Sequence, residues 1–268
     1  MDAQNKEVAA LVEKITGLHA AIAKLPSLSP SPAVDALFTE LVNLSKLEYE
    51  LLARYVPGGI ASARVAFIGS GPLPFSSFVL AARHLPDTMF DNYDLCGAAN
   101  ERASKLFRAD TDVGARMSFH TADVADLAGE LAKYDVVFLA ALVGMAAEEK
   151  ARVIAHLGTH MADGAALVVR SAHGARGFLY PIVDPQDIGR GGFEVLAVCH
   201  PDDDVVNSVI IAHKSKDMHA SGLRSERAGG GQYARGTVPV VSPPCRFGKM
   251  VADVNQKREE FAKAEVAF

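Results

Sequence analysis

The chain has 268 residues, a formal net charge of −5 and 49% apolar residues. That length can bury one large core or two modest ones, and the acidic balance leaves no basic footprint for nucleic acid. No apolar run is long enough to span a bilayer, and the polar start Met1-Asp-Ala-Gln-Asn-Lys-Glu reads as the lead into an amphipathic helix, not as a secretory signal.

Residues 5–24 repeat Val8, Leu11, Val12, Ile15, Leu18 and Ile22 at helical spacing, which predicts a helix. Pro26 ends it, and Ser27 to Pro32 reads as a linker. A second helix is expected over Ala33–Tyr55, stopped by Pro57-Gly58-Gly59. Beyond Ala63, strand and helix signals alternate. Strands are predicted at Val65–Ile68, Met89–Leu95, Met117–Thr121, Asp135–Ala140, Ala166–Arg170, Phe193–Cys199 and Ser208–His213. Helices are predicted at Phe75–Leu85, Ala98–Phe107 and Ala147–Met161, with a short turn around Val124–Leu131.

Such alternation implies a mostly parallel sheet with helices on both faces. The last two strands are joined by a short acidic turn, which suits a hairpin and not a crossover. The expected fold class is α/β: a Rossmann-like seven-stranded sheet of the S-adenosylmethionine-dependent type, with a small N-terminal helical part. Three regions follow: a helical region at 1–60, a Rossmann-like S-adenosylmethionine-binding domain at 61–216, and a flexible loop with a C-terminal extension at 217–268. Residues 217–236 read as a loop, 238–244 as extended and 249–267 as a terminal helix. Cys96, Cys199 and Cys245 are widely spaced and odd in number, as expected for reduced thiols in the cytoplasm.

The strongest local signal is Val65-Ala-Phe-Ile-Gly-Ser-Gly-Pro-Leu-Pro74, an apolar strand running into a glycine turn and then a helix. Gly69 permits the turn, Ser70 lies within it, and Gly71 lets a ligand approach the backbone near a helix N-terminus. The third glycine of the dinucleotide fingerprint is absent, since Pro74 stands there. A nucleoside without a pyrophosphate, such as S-adenosylmethionine, suits the turn better. A glycine pair of this kind is also simply a tight connection.

Asp94 ends the next strand, about 25 residues on, where an acid holds ribose hydroxyls or else caps the following helix. Asp123, after the third strand, would accept from an adenine amino group, with the backbone N–H of neighbouring Ala122 toward a ring nitrogen; the alternative is a turn acid or cap. Leu142 lies in the small-residue stretch Leu139–Met145 at the fourth strand's carboxyl end, where ligands of open α/β sheets sit. Arg170 ends the fifth strand and would pair bidentately with a substrate carboxylate. Tyr180 could point a phenol into the same pocket, and His173 could move protons or serve as a structural hydrogen bonder. Glu48, Tyr49 and Glu50 could cover the pocket mouth or form a solvated face. The nine histidines are dispersed, so no bound metal is expected.

Three stretches resemble plant nicotianamine synthases: Val65–Ser77, Asp135–Met145 and Leu167–Pro181. The ending Val241-Ser-Pro-Pro-Cys-Arg-Phe247 is similar to the grass members. The resemblance implies condensation of three S-adenosylmethionine molecules into nicotianamine with release of three methylthioadenosines. S-adenosylmethionine would be the substrate, with no resident cofactor and no nucleic-acid or membrane partner; homo-oligomerisation stays open. The family pattern also carries a long helical segment between the Leu-Phe-Thr-Glu-Leu and Asn-Leu-Ser-Lys-Leu-Glu-Tyr-Glu motifs, and its proposed catalytic glutamate and a substrate-binding tyrosine belong there. Here Val42 runs directly into Asn43, so neither residue is carried over and the catalytic group is unassigned. The resemblance therefore implies the family activity, impaired by the missing segment. A small-molecule methyltransferase and a non-catalytic nucleoside binder are the other readings.

Overall fold

The computed structural model describes residues 32–56, 60, 64–107, 112–178, 180–201, 205, 207–215 and 240–241. The helix expected at 5–24, the loop at 217–236 and the terminal helix at 249–267 lie outside the described residues.

Among the described residues, eight strands form one sheet: β1 (Arg64–Ile68), β2 (Met89–Asp94), β3 (Met117–Thr121), β4 (Val136–Leu139), β5 (Ala166–Ser171), β6 (Phe193–Cys199), β7 (Ser208–Lys214) and the two-residue β8 (Val240–Val241). Their order is β3-β2-β1-β4-β5-β7-β6-β8. β1 to β5 pair in parallel, while β7 runs antiparallel to both β5 and β6. This is the expected seven-stranded sheet with its closing hairpin, extended by β8 pairing parallel to β6. The carboxyl ends of β1 to β5 therefore share one edge.

Alternate residues of the central strands feed two cores. Val65, Phe67, Val136, Phe138, Ala166 and Val168 face one layer of helices. Ala66, Ile68, Val137, Leu139, Leu167 and Val169 face the other. This period-2 division, with both sides apolar, is what a sheet covered on both faces demands.

Helix α1 (Pro32–Tyr55) belongs to the first layer. Proline is acceptable at its first position because the missing N–H has no intrahelical partner there. Leu44, Leu47, Leu51 and Leu52 form a stripe at helical spacing and pack into the same core as β1, β4 and β7. Leu47, Leu51 and Leu52 are at most 1% exposed, and burying each contributes roughly 1.5–3 kcal/mol. The helix is thus built into the sheet domain's core.

Helix α2 (Phe75–Val79) continues into a π-helical turn at Leu80–His84, closed by the Leu85 N–H donating to the Leu80 carbonyl at 2.7 Å. Its last carbonyls are met by Arg116, whose guanidinium donates to Ala81 at 3.0 Å and to Leu85 and Thr88 at 3.3 Å. Helix α3 (Gly97–Phe107) completes that layer. The opposite layer holds α4 (Ala147–His160) and a short α5 (Pro185–Arg190) capped by Asp184. The single turn expected at Val124–Leu131 is instead two 3-10 turns, Val124–Asp126 and Leu131–Lys133, because Asp123 caps the first and the chain restarts after it.

Candidate functional site

The site lies at the carboxyl edge, around the turn after β1. Gly69 and Gly71 both have positive φ, 81° and 68°, the conformation that favours glycine. Their surroundings differ. A Cβ on Gly69 would lie 2.3 Å from Val143 Cγ2, so the turn packs hard against the loop after β4. A Cβ on Gly71 would meet nothing within 4 Å, so open space faces that residue. Gly69 shapes the turn, and Gly71 keeps its outer face accessible.

The turn is tied to β2. The N–H groups of Gly69 and Ser70 donate to the Tyr93 carbonyl at 2.8 and 3.1 Å. The Gly71 N–H donates to Asp94 Oδ2 at 2.9 Å, and the Cys96 N–H donates to Asp94 Oδ1 at 2.9 Å. A carboxylate has about four lone-pair sites, so two N–H donors do not exhaust it. Asp94 is half-buried beside the open face of Gly71, and exposed Leu95 follows it. Asp94 therefore both orders the turn and presents an acceptor edge.

Asn100 of α3 holds this edge from behind. Its amide donates to the His120 carbonyl and Thr121 Oγ1, each at 2.9 Å, and to the Asp94 carbonyl at 3.3 Å. Nothing in the sequence marked Asn100 apart from other helical polar residues. The Ala122 N–H donates to the Asp94 carbonyl at 3.2 Å, so it continues the sheet edge. Asp123 is exposed and accepts from the Ala125 N–H at 2.9 Å, which makes it the cap of its turn. Leu142 is 59% exposed on the loop after β4, with Met145 nearby in sequence at 56%.

Arg170 has a different setting. Its Nε and Nη2 donate to Glu48 Oε1 and Oε2 at 2.6 and 2.9 Å. Glu48 is fully buried, and the guanidinium also lies over the Phe67 ring at 5.1 Å. The bidentate geometry expected of Arg170 is present, but the carboxylate is the chain's own. Glu48 is correspondingly not part of a solvated face. Tyr49 stacks on His84 with ring centroids 4.9 Å apart. Tyr180 is brought near Arg170 and the buried Glu40; burial, and then the Glu40 charge, push its phenol above the usual range, against a smaller opposite effect of Arg170. His173 stacks on His200 with centroids 3.8 Å apart, and His200 Nδ1 lies 3.0 Å from Ser208 Oγ. Burial, then His173, lowers the His200 pKa.

A second polar cluster sits on the opposite face of β2. Asp91 accepts from Tyr134 Oη at 2.8 Å and lies 3.2 Å from His120 Nε2. Tyr134 also meets Tyr93, hydroxyl to hydroxyl, at 2.6 Å. Burial alone would raise the Asp91 pKa, but the bonds from Tyr134 and His120, with Arg64 nearby, hold it below the usual carboxylate range. Among the described residues no group of three or more His, Cys, Asp or Glu side chains converges as a metal site would require.

The family profile described as "Nicotianamine synthase protein" matches residues 3–43 and 42–219. The "Probable nicotianamine synthase 2" of Hordeum vulgare is 73% identical over 330 aligned positions, covering 98% of each chain. This chain belongs to the nicotianamine synthase family. The "Nicotianamine synthase 2" of Oryza sativa subsp. japonica is 60% identical, again over 98% of each chain. A crystal structure of a mutant of MtNAS in complex with S-adenosylmethionine shares the fold, with TM-score 0.54 and 24% identity, covering 75% of this chain and 72% of that one.

The alignment to the barley nicotianamine synthase is 330 positions long, whereas this chain has 268 residues, so some of those positions have no counterpart here. The profile match breaks at residues 42–43, which lie in the middle of α1. The two stretches meet within one uninterrupted helix, whose buried stripe runs from Val42 to Leu52. Glu40 before the junction and Glu48 after it are both buried by the sheet domain.

Proposed function

We propose that this chain binds S-adenosylmethionine across the Gly71–Asp94 turn and condenses three copies of it into nicotianamine, at a turnover lowered by the positions it lacks. The carrying observation is 73% identity to a barley nicotianamine synthase along nearly the whole chain. S-adenosylmethionine is consumed as the substrate, so the reading needs no resident cofactor. The setting is cytoplasmic; no helix among the described residues is long and apolar enough to cross a membrane.

The residues support this in stages. Asp94 offers ribose hydroxyls its remaining lone pairs, while the Gly71 and Cys96 N–H groups keep the carboxylate oriented. Gly71 has no side chain to obstruct the ligand. Exposed Leu95 and Leu142 offer apolar surface to the adenine. A sulfonium has three carbon arms, and the enzyme selects one by alignment. The α-amine nitrogen of one substrate attacks the methylene beside sulfur on another's aminocarboxypropyl arm. Each C–N bond formed breaks one C–S bond, whose electron pair stays on sulfur as methylthioadenosine. Two such attacks join three substrates, and the third methylthioadenosine leaves when an amine of the joined molecule displaces its own remaining sulfur and closes a ring. The amine proton passes to a base.

One observation favours a second reading, nucleoside binding without turnover. Glu48 and Tyr49, the first carboxylate and phenol after the junction at residues 42–43, are engaged by Arg170 and His84. Incubation with S-adenosylmethionine labelled separately on its methyl and carboxyl carbons decides. Carboxyl label in nicotianamine with methyl label in methylthioadenosine supports the synthase. Ligand binding with no product supports the second reading, and S-adenosylhomocysteine in the presence of an acceptor supports a methyltransferase.

A further inference from the structure

We infer that Lys150 is a positioning residue for the adenosyl site: its ammonium braces the loop after β4, and that loop in turn holds the glycine turn after β1. The inference rests on the site reading proposed above. It begins with an unusual placement. Lys150 lies in the first turn of α4 among Glu148, Glu149 and Arg152, yet it is only 2% exposed. Its Nζ donates to the Ala140 carbonyl at 2.9 Å and the Ala141 carbonyl at 3.1 Å. These are the first two carbonyls past the end of β4, where the strand ladder no longer supplies partners.

The contact chain continues to the ligand edge. The Ala140 N–H donates to the Ile68 carbonyl at 3.0 Å, just before the glycine turn. Val143 packs so close to Gly69 that a Cβ there would lie 2.3 Å from its Cγ2. Gly144 has φ 68°, and a Cβ on it would lie 2.8 Å from the Lys150 backbone nitrogen. The loop is therefore clamped between Lys150 and Gly69. Gly69 and Ser70 are hydrogen-bonded to Tyr93, beside Asp94. Removing the brace leaves two carbonyls short of a donor and frees Val143 to shift, which loosens the turn that sets Gly71 against Asp94.

The fold supplies a control. Lys214 is also buried, at 4% exposure, and its Nζ donates to the Met161 and Thr159 carbonyls. It sits at the amino edge of the sheet, where β7 ends beside the start of β5. Both lysines satisfy carbonyls, but only Lys150 contacts the ligand loop.

The test compares Lys150→Met, Lys150→Arg and Lys214→Met in the full chain, by hydrogen exchange and by calorimetry with methylthioadenosine, well below each variant's melting temperature. Lys150→Met is expected to speed exchange at residues 68–71 and 141–144 and to weaken methylthioadenosine about tenfold. Lys150→Arg, which keeps donors, is expected to recover part of both. Lys214→Met should leave both readouts unchanged while lowering the melting temperature. Unchanged exchange at residues 68–71 in Lys150→Met, or equal changes there in Lys214→Met, overturns the inference. Failure of the parent chain to bind methylthioadenosine overturns the site reading instead, and exchange still decides the brace.

Discussion

Glu48 and Arg170, 122 residues apart in sequence, are locked by two charge-assisted hydrogen bonds of 2.6 and 2.9 Å with the glutamate fully buried. The pair fixes α1 to the end of β5 and gives the arginine fork a carboxylate from within the chain. A buried pair is not itself evidence of large net stabilisation, but breaking one side of it strands a charge.

Glu48→Ala or Arg170→Met is therefore expected to destabilise the fold by about 3–5 kcal/mol, read from urea unfolding. The double variant Glu48→Leu with Arg170→Met should recover most of that loss. If the single variants cost no more than the double, the pair is not coupled as described.

The two turn glycines should separate. Gly69→Ala drives a methyl into Val143 at a positive φ, so a clear fall in melting temperature is expected. Gly71→Ala has room and meets only the backbone penalty of about 1–2 kcal/mol. Yet Gly71→Ala should lose more methylthioadenosine affinity per degree of melting temperature lost. Calorimetry beside thermal melts checks both.

Asp94→Ala removes the acceptor of two backbone N–H groups as well as the ribose contact. A fall in methylthioadenosine affinity of about 10–100-fold is expected, and Asp94→Asn should fall between. Because exposed Cys96 adjoins Asp94, bound methylthioadenosine should also slow Cys96 alkylation in a Cys245→Ser background; Cys199 is buried. Equal rates with and without ligand contradict the placement.

Two buried groups with lowered pKa values each make stability rise with pH, in different ranges. Asp91 is held below its ordinary pKa in the folded state, so its stabilisation is complete above the unfolded value and fades as pH falls through the folded one. Asp91→Asn should flatten that acid limb. Burial lowers Lys150 to about 8 from 10.5, so the unfolded chain binds more protons between those values. Relative to Lys150→Met, the parent's stability should rise from pH 8 to pH 10, measured by urea unfolding at each pH.

The layered sheet was legible because both strand faces are apolar and helices intervene at regular intervals. Met117–Thr121 and Phe193–Cys199 match their expected limits residue for residue. The Asp184-Pro185 start of α5 was a capping signal in plain sight. The Glu48–Arg170 pair was not legible, since a glutamate between Leu47 and Tyr49 has no local mark of burial. Lys150 was hidden for the same reason: among Glu148, Glu149 and Arg152 it reads as a solvated helix face. Only the return of β4 beside β1 gives that lysine two carbonyls to meet.

The most direct measurement is product analysis of the purified chain incubated with doubly labelled S-adenosylmethionine, beside the barley relative it matches at 73% identity. Nicotianamine and methylthioadenosine in a one-to-three ratio, formed more slowly than by the relative, is the expected result. Absence of nicotianamine while methylthioadenosine still binds, or release of S-adenosylhomocysteine in its place, contradicts it.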